Sequence, residues 1–136
     1  MSTLEELNER GMGTLPGLIG LTILEAEEWS LSSRLELRNE LMAPNGYLHA
    51  ATVIALADTS CGYGTFVNLP EGAESFTTIE LKCNFMGTKR DGAICCEAKL
   101  VHGGRTTQVW DATVSDAEGG EPIALFRCTQ MILYSR

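Results

Sequence analysis

The sequence predicts an α+β domain in which a curved antiparallel sheet of about six strands wraps around one central helix. Residues 50–66 are apolar on every face of a helix, so this segment requires burial on all sides. Two strand-like segments precede it and four follow it, and together they supply the surface that can bury it. In a chain of 136 residues, a sheet curved around the helix is the economical arrangement.

The first forty residues contain one helical and two extended segments. Residues 2–11 are predicted to form a short helix capped by Ser2 or Thr3. We expect this helix to be peripheral, with residues 1–17 forming an extension to a single domain over residues 18–136. Strands are predicted at residues 19–28 and 31–38, because apolar side chains alternate with polar ones in the second of these segments.

The central helix follows a turn at residues 43–49, which read Ala-Pro-Asn-Gly-Tyr-Leu-His. Pro, Asn and Gly favour a turn, so the helix is predicted to begin near His49 or Ala50 and to lose regularity at Gly62 and Gly64. Its first amides have no partner within the helix and lie at the positive end of the helix dipole. This helix start can therefore stabilise a developing oxyanion.

The remainder of the chain is predicted to form four long strands. They occupy residues 75–86, 93–102, 106–116 and 122–134, and turns that contain Gly separate them. These turns are short enough to connect successive antiparallel hairpins.

Composition limits the possible functions. A net charge of −8 argues against a broad surface for nucleic acid or an anionic membrane, and no apolar run approaches the roughly 20 residues of a membrane span. The charged N-terminus does not resemble a signal peptide, and five cysteines without a CxxC pair favour a reducing cytoplasm. Only two histidines occur and they lack ligand spacing, so we expect no metal site.

Asp58 is the single charged residue between Glu40 and Glu71, and it lies within the apolar helix. A buried ionised carboxylate costs several kcal/mol unless other groups satisfy it. It could serve structurally, by accepting hydrogen bonds from nearby hydroxyls such as those of Thr59 or Ser60. Alternatively, it could perform chemistry, since burial raises the pKa of an acid and makes it a better base.

Four motifs occur together: Asn-Gly-Tyr-Leu-His-Ala-Ala at 45–51, Leu-Ala-Asp-Thr at 56–59, Thr-Thr-Ile-Glu-Leu-Lys-Cys-Asn-Phe-Met at 77–86, and Gly-Arg at 104–105. Over roughly residues 18–134 this pattern resembles the hotdog-fold acyl-CoA thioesterases, and within them the PaaI-like subgroup named for phenylacetate degradation. The most specific part is Gly46-x-x-His49 followed nine residues later by Asp58. The resemblance implies hydrolysis of a small or aromatic acyl-CoA, with coenzyme A as part of the substrate and no separate cofactor.

The resemblance also implies roles for individual residues. Asp58 would be the nucleophile or the general base, and the Ala50 amide would polarise the thioester carbonyl. The Thr78 hydroxyl would hold the carboxylate or the attacking water. His49 could contact substrate or only brace the turn that contains Gly46, and both interpretations remain open.

Two departures from the family pattern concern the helix start. The family usually has His-Gly-Gly, whereas this chain has Ala50 and Ala51, whose methyl groups predict a tighter acyl pocket or lower activity. Many relatives carry Asn or Gln six residues before the His, where this chain has Ala43. Asn45 lies nearby but out of register, and is the candidate for that polar role.

Helix geometry predicts a site shared between two subunits. Eight residues separate Ala50 from Asp58, which places them roughly 12 Å apart along the axis. A nucleophile must approach to about 3–3.5 Å from a carbonyl carbon held by the oxyanion donor. The two groups must therefore come from antiparallel helices of a symmetric homodimer. We further expect a homotetramer formed as a dimer of dimers.

The phosphates of coenzyme A require cations. Lys89, Arg90 and Arg105 lie in or beside hairpin turns and are the candidates, although each could equally be a solvated surface charge. Two alternative functions remain at this point: a hotdog CoA-ester hydratase or dehydratase, and a non-catalytic ligand-binding or assembly protein. The Ala-Ala replacement at the helix start favours the second alternative.

Overall fold

The computed structural model describes residues 3–136. These residues form one six-stranded sheet in the order β1-β2-β4-β5-β6-β3, in which all neighbouring strands are antiparallel. The elements are α1 (Leu4–Arg10), α2 (Leu15–Ile19), β1 (Leu21–Glu27), β2 (Ser30–Glu36), a 3₁₀ turn (Asn39–Leu41), α3 (Ala50–Val67), β3 (Ala73–Phe85), β4 (Ala93–Gly103), β5 (Thr107–Asp116) and β6 (Pro122–Tyr134). The predicted α+β architecture, with six strands and one central helix after the second strand, is confirmed.

Helix α3 lies against the sheet and contacts all six strands. Its polar side chains are satisfied locally: the Ser60 hydroxyl donates to the Leu56 carbonyl (2.7 Å) and lies 2.6 Å from the hydroxyl of Ser33 on β2. The helix continues without a break through Gly62 and Gly64, so the predicted loss of regularity there is wrong. Gly64 instead permits close packing, because a Cβ at this position would lie 2.6 Å from the ring of the fully buried Trp110.

Helix α1 is mostly exposed, and two of its side chains anchor it to the rest of the domain. Leu7 is only 1% exposed, and the Asn8 side chain donates to the Ile23 carbonyl while it accepts from the Ile23 amide (3.1 and 2.8 Å). The predicted cap is Thr3, whose hydroxyl accepts from the Glu6 amide, whereas Ser2 lies outside the described residues.

Helix α2 was not predicted from the sequence. Pro16 lies in its first turn and Gly20 closes it in the left-handed conformation (φ 86°). The Arg38 guanidinium then donates to the carbonyls of Leu18 and Ile19 (2.9 and 3.0 Å). The first strand therefore begins at Leu21, two residues later than predicted, and the proposed domain boundary at residue 17 falls inside α2.

Strand β3 is the edge of the sheet, next to β6. It is 13 residues long, and its other edge pairs with no strand of residues 3–136. Several of its apolar side chains are exposed, including Ile79 (52%), Leu81 (40%) and Phe85 (46%). Such a long apolar edge is a template for pairing with another chain.

Candidate active site

Asp58 lies within α3, half-buried, with its carboxylate toward β3. The hydroxyl of Thr78 on β3 lies 3.3 Å from Asp58 Oδ1 and can donate to it. Burial raises the pKa of the Asp58 carboxyl, and the hydrogen bond from Thr78 partly opposes this rise. The acid that the sequence singled out therefore has a hydroxyl partner and a pKa above that of an ordinary aspartate, which makes its ionised form a better proton acceptor.

The start of α3 presents an amide without a protein acceptor. His49 is the N-cap residue, and its Nδ1 accepts from the Ala51 amide at 2.9 Å. This bond supports a bracing role for His49, and contact between His49 and substrate stays a prediction. Within residues 3–136, the Ala50 amide donates to no group, and Ala50 is exposed.

The turn before α3 is held by local hydrogen bonds. The Asn45 side chain accepts from the Tyr47 amide (3.2 Å), and Gly46 adopts the left-handed conformation with φ 88°. Thr88 accepts from the Leu48 amide (3.2 Å) and ties the β3–β4 connection to this turn. In this chain Asn45 and Gly46 therefore shape the turn that aims the helix start.

A cavity of about 310 Å³ opens beside Asp58. Thr78 and the aromatic rings of Tyr63, Phe66 and Phe76 line it, together with side chains from the N-terminal segment. Among these, the Arg10 guanidinium lies 4.1 Å from the centroid of the Phe66 ring. No sequence pattern indicated Arg10, since only the packing of α1 against β1 brings it to the cavity.

The three predicted phosphate contacts differ in their surroundings. Lys89 is largely buried and forms an ion pair with Asp116 at 2.7 Å, so its charge is already neutralised. The guanidiniums of Arg90 and Arg105 lie over the rings of Tyr47 and Tyr134, 4.8 and 5.4 Å from the centroids. Because both arginines are exposed, they remain available to an anionic ligand.

All five cysteines are free thiols. Residues 3–136 contain no cluster of three or more His, Cys, Asp or Glu that could hold a metal ion. Over the same range, every helix is too short or too polar to cross a membrane.

The sequence matches the family described as the thioesterase superfamily over residues 45–123. Similar proteins include the 1,4-dihydroxy-2-naphthoyl-CoA hydrolases of Listeria monocytogenes (29% identical, covering 82% of this chain and 89% of the relative) and Escherichia coli (25%, covering 86% and 85%). The crystal structure of a mutant thioesterase from Pseudomonas aeruginosa superposes with a TM-score of 0.91 at 25% identity, covering 98% of this chain and 95% of the other. The predicted hotdog fold is thereby confirmed.

Proposed function

The chain belongs to the thioesterase superfamily, and from this premise we propose that it hydrolyses the thioester of an acyl-CoA with a small or aromatic acyl group. The observation that carries the proposal is the half-buried carboxylate of Asp58 beside the Thr78 hydroxyl in an aromatic cavity. The naphthoyl-CoA hydrolases among its relatives favour hydrolysis over hydration or non-catalytic binding.

The exposed edge of β3 supports a homodimer. If two copies pair through this strand around a two-fold axis, their α3 helices run antiparallel. The start of one helix then approaches the middle of the other, which overcomes the roughly 12 Å that separates Ala50 from Asp58 in one chain. In this proposal each active site combines Asp58 and Thr78 of one subunit with the partner's Ala50 amide.

The reaction follows from these groups. The thioester carbonyl oxygen accepts a hydrogen bond from the partner's Ala50 amide, which stabilises the negative charge that develops on this oxygen. Asp58 either attacks the carbonyl carbon, releasing the CoA thiolate and forming an anhydride that water then hydrolyses, or it takes a proton from a water that attacks directly. Both routes require ionised Asp58.

The cavity supports a small or aromatic acyl group. Its volume of about 310 Å³ is near the lower end for small-molecule sites, and three of its walls are aromatic rings. Arg10 and the Tyr63 hydroxyl border the part formed with the N-terminal segment. In this proposal they contact the far end of the acyl group, where Arg10 favours a hydroxyl or carboxylate substituent.

The nucleotide part of coenzyme A requires a second area. Arg105 lines an open groove of about 780 Å³ at the C-terminal end of α3, where Trp29 is 60% exposed. A guanidinium for the phosphates and an exposed indole for stacking suit a nucleotide. Arg90 is the second phosphate contact in this proposal, and Lys89 has a structural role through its ion pair.

Two broader features complete the proposal. The apolar side chains of Leu125, Met131 and Leu133 are 39–49% exposed on the face of the sheet away from α3. They support back-to-back packing of two dimers into a tetramer. Five free thiols favour a reducing cytoplasm as the location.

The decisive experiment compares Asp58→Asn with the wild-type protein on a panel of acyl-CoAs. A thiol-detecting reagent follows CoA release, and enzyme without substrate corrects for the cysteines of the protein. We expect hydrolysis to fall by at least about two orders of magnitude in a folded protein. The matched control Glu97→Gln, which removes an exposed carboxylate from β4, should retain full activity. Near wild-type turnover of Asp58→Asn would remove Asp58 from the mechanism.

Complementation tests the shared site. Asp58→Ala lacks the acid and Ala50→Pro lacks the amide, while Pro is tolerated in a first helical turn. Each homodimer should be nearly inactive, but a mixed dimer regains one complete site. With random exchange about half of the dimers are mixed, so activity should recover to about a quarter of the wild-type value. No recovery despite demonstrated exchange would refute the pairing of Asp58 with the helix-start amide.

A further inference from the structure

Gln130 on β6 is fully buried beneath α3 and carries an unsatisfied polar atom. It lies opposite Thr78 in the register of β3 and β6, and its Oε1 accepts from the Thr78 hydroxyl at 2.6 Å. Its Nε2 has no hydrogen-bond partner, and within residues 3–136 it is the only buried side-chain nitrogen or oxygen in this state. A buried polar atom without a partner destabilises the folded protein and calls for an explanation.

The Thr78 hydroxyl has one proton and two neighbouring acceptors. It lies 3.3 Å from Asp58 Oδ1 and 2.6 Å from Gln130 Oε1. When Asp58 is ionised it can only accept hydrogen bonds, so the proton cannot serve both oxygens well. The arrangement in the structure therefore suits a protonated Asp58, which donates to Thr78 while Thr78 donates to Gln130.

Rotation of the Gln130 side-chain amide by about 180° exchanges the positions of Oε1 and Nε2 and produces an arrangement that suits ionised Asp58. Nε2 then faces Thr78 and donates to it, and the Thr78 proton points to Asp58. When Asp58 is ionised, the hydrogen bond from Gln130 to Thr78 and the one from Thr78 to Asp58 then each have one donor and one acceptor. The two arrangements differ by one proton on Asp58 and by the orientation of the Gln130 amide.

We infer that Gln130 is a positioning residue that acts on Asp58 through Thr78. Its buried side-chain amide rotates by about 180° when Asp58 gains or loses a proton. This inference rests on the proposed function for its effect on rate, because the coupling matters to catalysis only if Asp58 reacts. This rotation of the Gln130 amide leaves Asp58 with a hydrogen bond to Thr78 in both of its charge states. Its carboxyl group is therefore held in place while it exchanges a proton with water or substrate.

The neighbouring Gln108 shows what a purely structural glutamine looks like in this sheet. It lies opposite Gln130 on β5 and is 2% exposed. Its Nε2 donates to the Asn68 carbonyl (2.9 Å) and its Oε1 accepts from Trp110 Nε1 (2.8 Å). Both ends of Gln108 are bonded in one orientation only, whereas Gln130 has a partner that can either donate or accept.

Few titratable groups surround Asp58 in the described chain. Arg10 of α1 lines the same cavity, and Tyr63 lies on α3 itself. Cys61, also on α3, is buried, and the neighbouring Cys128 thiol together with burial raises the pKa of Cys61 well above its usual value. Burial also raises the pKa of Tyr63, so this phenol stays neutral, and Arg10 is the other charged side chain among the described residues that line the cavity.

Nuclear magnetic resonance tests the coupling without any substrate. The carboxyl carbon of Asp58 and the side-chain NH₂ of Gln130 are followed across a pH titration of the whole protein. We expect both signals to change with the same midpoint, while the NH₂ of Gln108 stays unchanged as the internal control. Thr78→Val should abolish the response of Gln130, and Thr78→Ser, which keeps the hydroxyl, should preserve it. A Gln130 signal that ignores the Asp58 titration, or that responds equally in Thr78→Val, would overturn the inference.

Kinetics test the consequence for rate. Gln130→Met has a similar length without hydrogen-bonding groups, and should lower kcat about tenfold with little change in KM. Unchanged kcat in a folded Gln130→Met protein would also overturn the positioning role. If the wild-type protein hydrolyses no acyl-CoA, the proposed function fails, whereas the resonance experiment still decides whether Gln130 follows Asp58.

Discussion

Replacing Gly64 by alanine should destabilise the protein, although alanine is the better helix former. The added methyl group would lie 2.6 and 2.8 Å from two ring atoms of Trp110, closer than carbon atoms approach in proteins. Trp110 is fully buried and donates to Gln108, so the ring cannot move aside freely. Overpacking of this kind costs about 1–3 kcal/mol, against a gain of up to about 1 kcal/mol in helix propensity.

Gly62 provides a matched control two residues earlier in the same helix. A Cβ there would lie 3.4 Å from the tip of Phe76, which is only partly buried and can shift. Since the propensity gain is shared, the difference between Gly62→Ala and Gly64→Ala isolates the clash with Trp110. We expect this difference to be about 1–3 kcal/mol in the free energy of unfolding, with Gly62→Ala the more stable variant.

Urea denaturation measures both variants at one protein concentration, because unfolding of the proposed dimer would depend on concentration. Equal slopes would show that the change lies in stability and not in the surface exposed on unfolding. If Gly64→Ala were as stable as Gly62→Ala, the close approach of α3 to Trp110 would be refuted. The position of α3 over β5 would then need revision as well.

Because burial raises the pKa of Asp58 and the ionised form reacts, kcat/KM should fall as pH drops through a midpoint above that of an ordinary aspartate, and Thr78→Val should move this midpoint higher. A carboxyl whose pKa is raised on folding binds its proton more tightly in the folded state, so ionisation of Asp58 lowers the free energy of unfolding as pH rises. At pH values above the titration of Asp58, Asp58→Asn should therefore be more stable than the wild-type protein in urea denaturation. Arg10→Leu should lower kcat/KM about tenfold for an aromatic acyl-CoA bearing a carboxylate, relative to benzoyl-CoA, since a charge-assisted bond is lost; equal losses on both substrates would place Arg10 outside acyl recognition. Arg90→Ala should raise KM for acyl-CoA, whereas Lys89→Ala should reduce stability and leave KM unchanged, because Lys89 is already ion-paired; the opposite pattern would reverse the two assignments.

The local sequence predicted the elements with strong periodicity and clear turn signals. The α3 helix begins at Ala50 as expected, because the Pro-Asn-Gly turn before it permits few other continuations. The hairpin strands β4 to β6 agree with their predicted bounds within about one residue. By contrast, α2 has only five residues, too few for a helical period to emerge, and its last residue, Ile19, lies in a segment predicted to be a strand.

The residues of the candidate site also differ in whether the local sequence could predict them. Asp58 could be found from the sequence because a lone charge in an apolar helix must be desolvated wherever the helix packs. Thr78 came only through the family resemblance, which reflects a fixed register between strand and helix. No sequence pattern indicated Arg10 or Gln130, because each was identified by its tertiary contacts: Arg10 lines the cavity and Gln130 bonds to Thr78.

By itself the sequence determined the fold class, singled out Asp58 and predicted a second helix start, since periodicity, desolvation and helix rise are local properties of the chain. Only the tertiary structure decided which hydroxyl meets Asp58, which amide lies behind that hydroxyl, and which of the cations are already paired. These are contacts between residues 20 to 52 positions apart, such as Thr78 with Asp58 and Gln130. They depend on strand register and on a bulge after Thr78, which a periodic pattern does not encode.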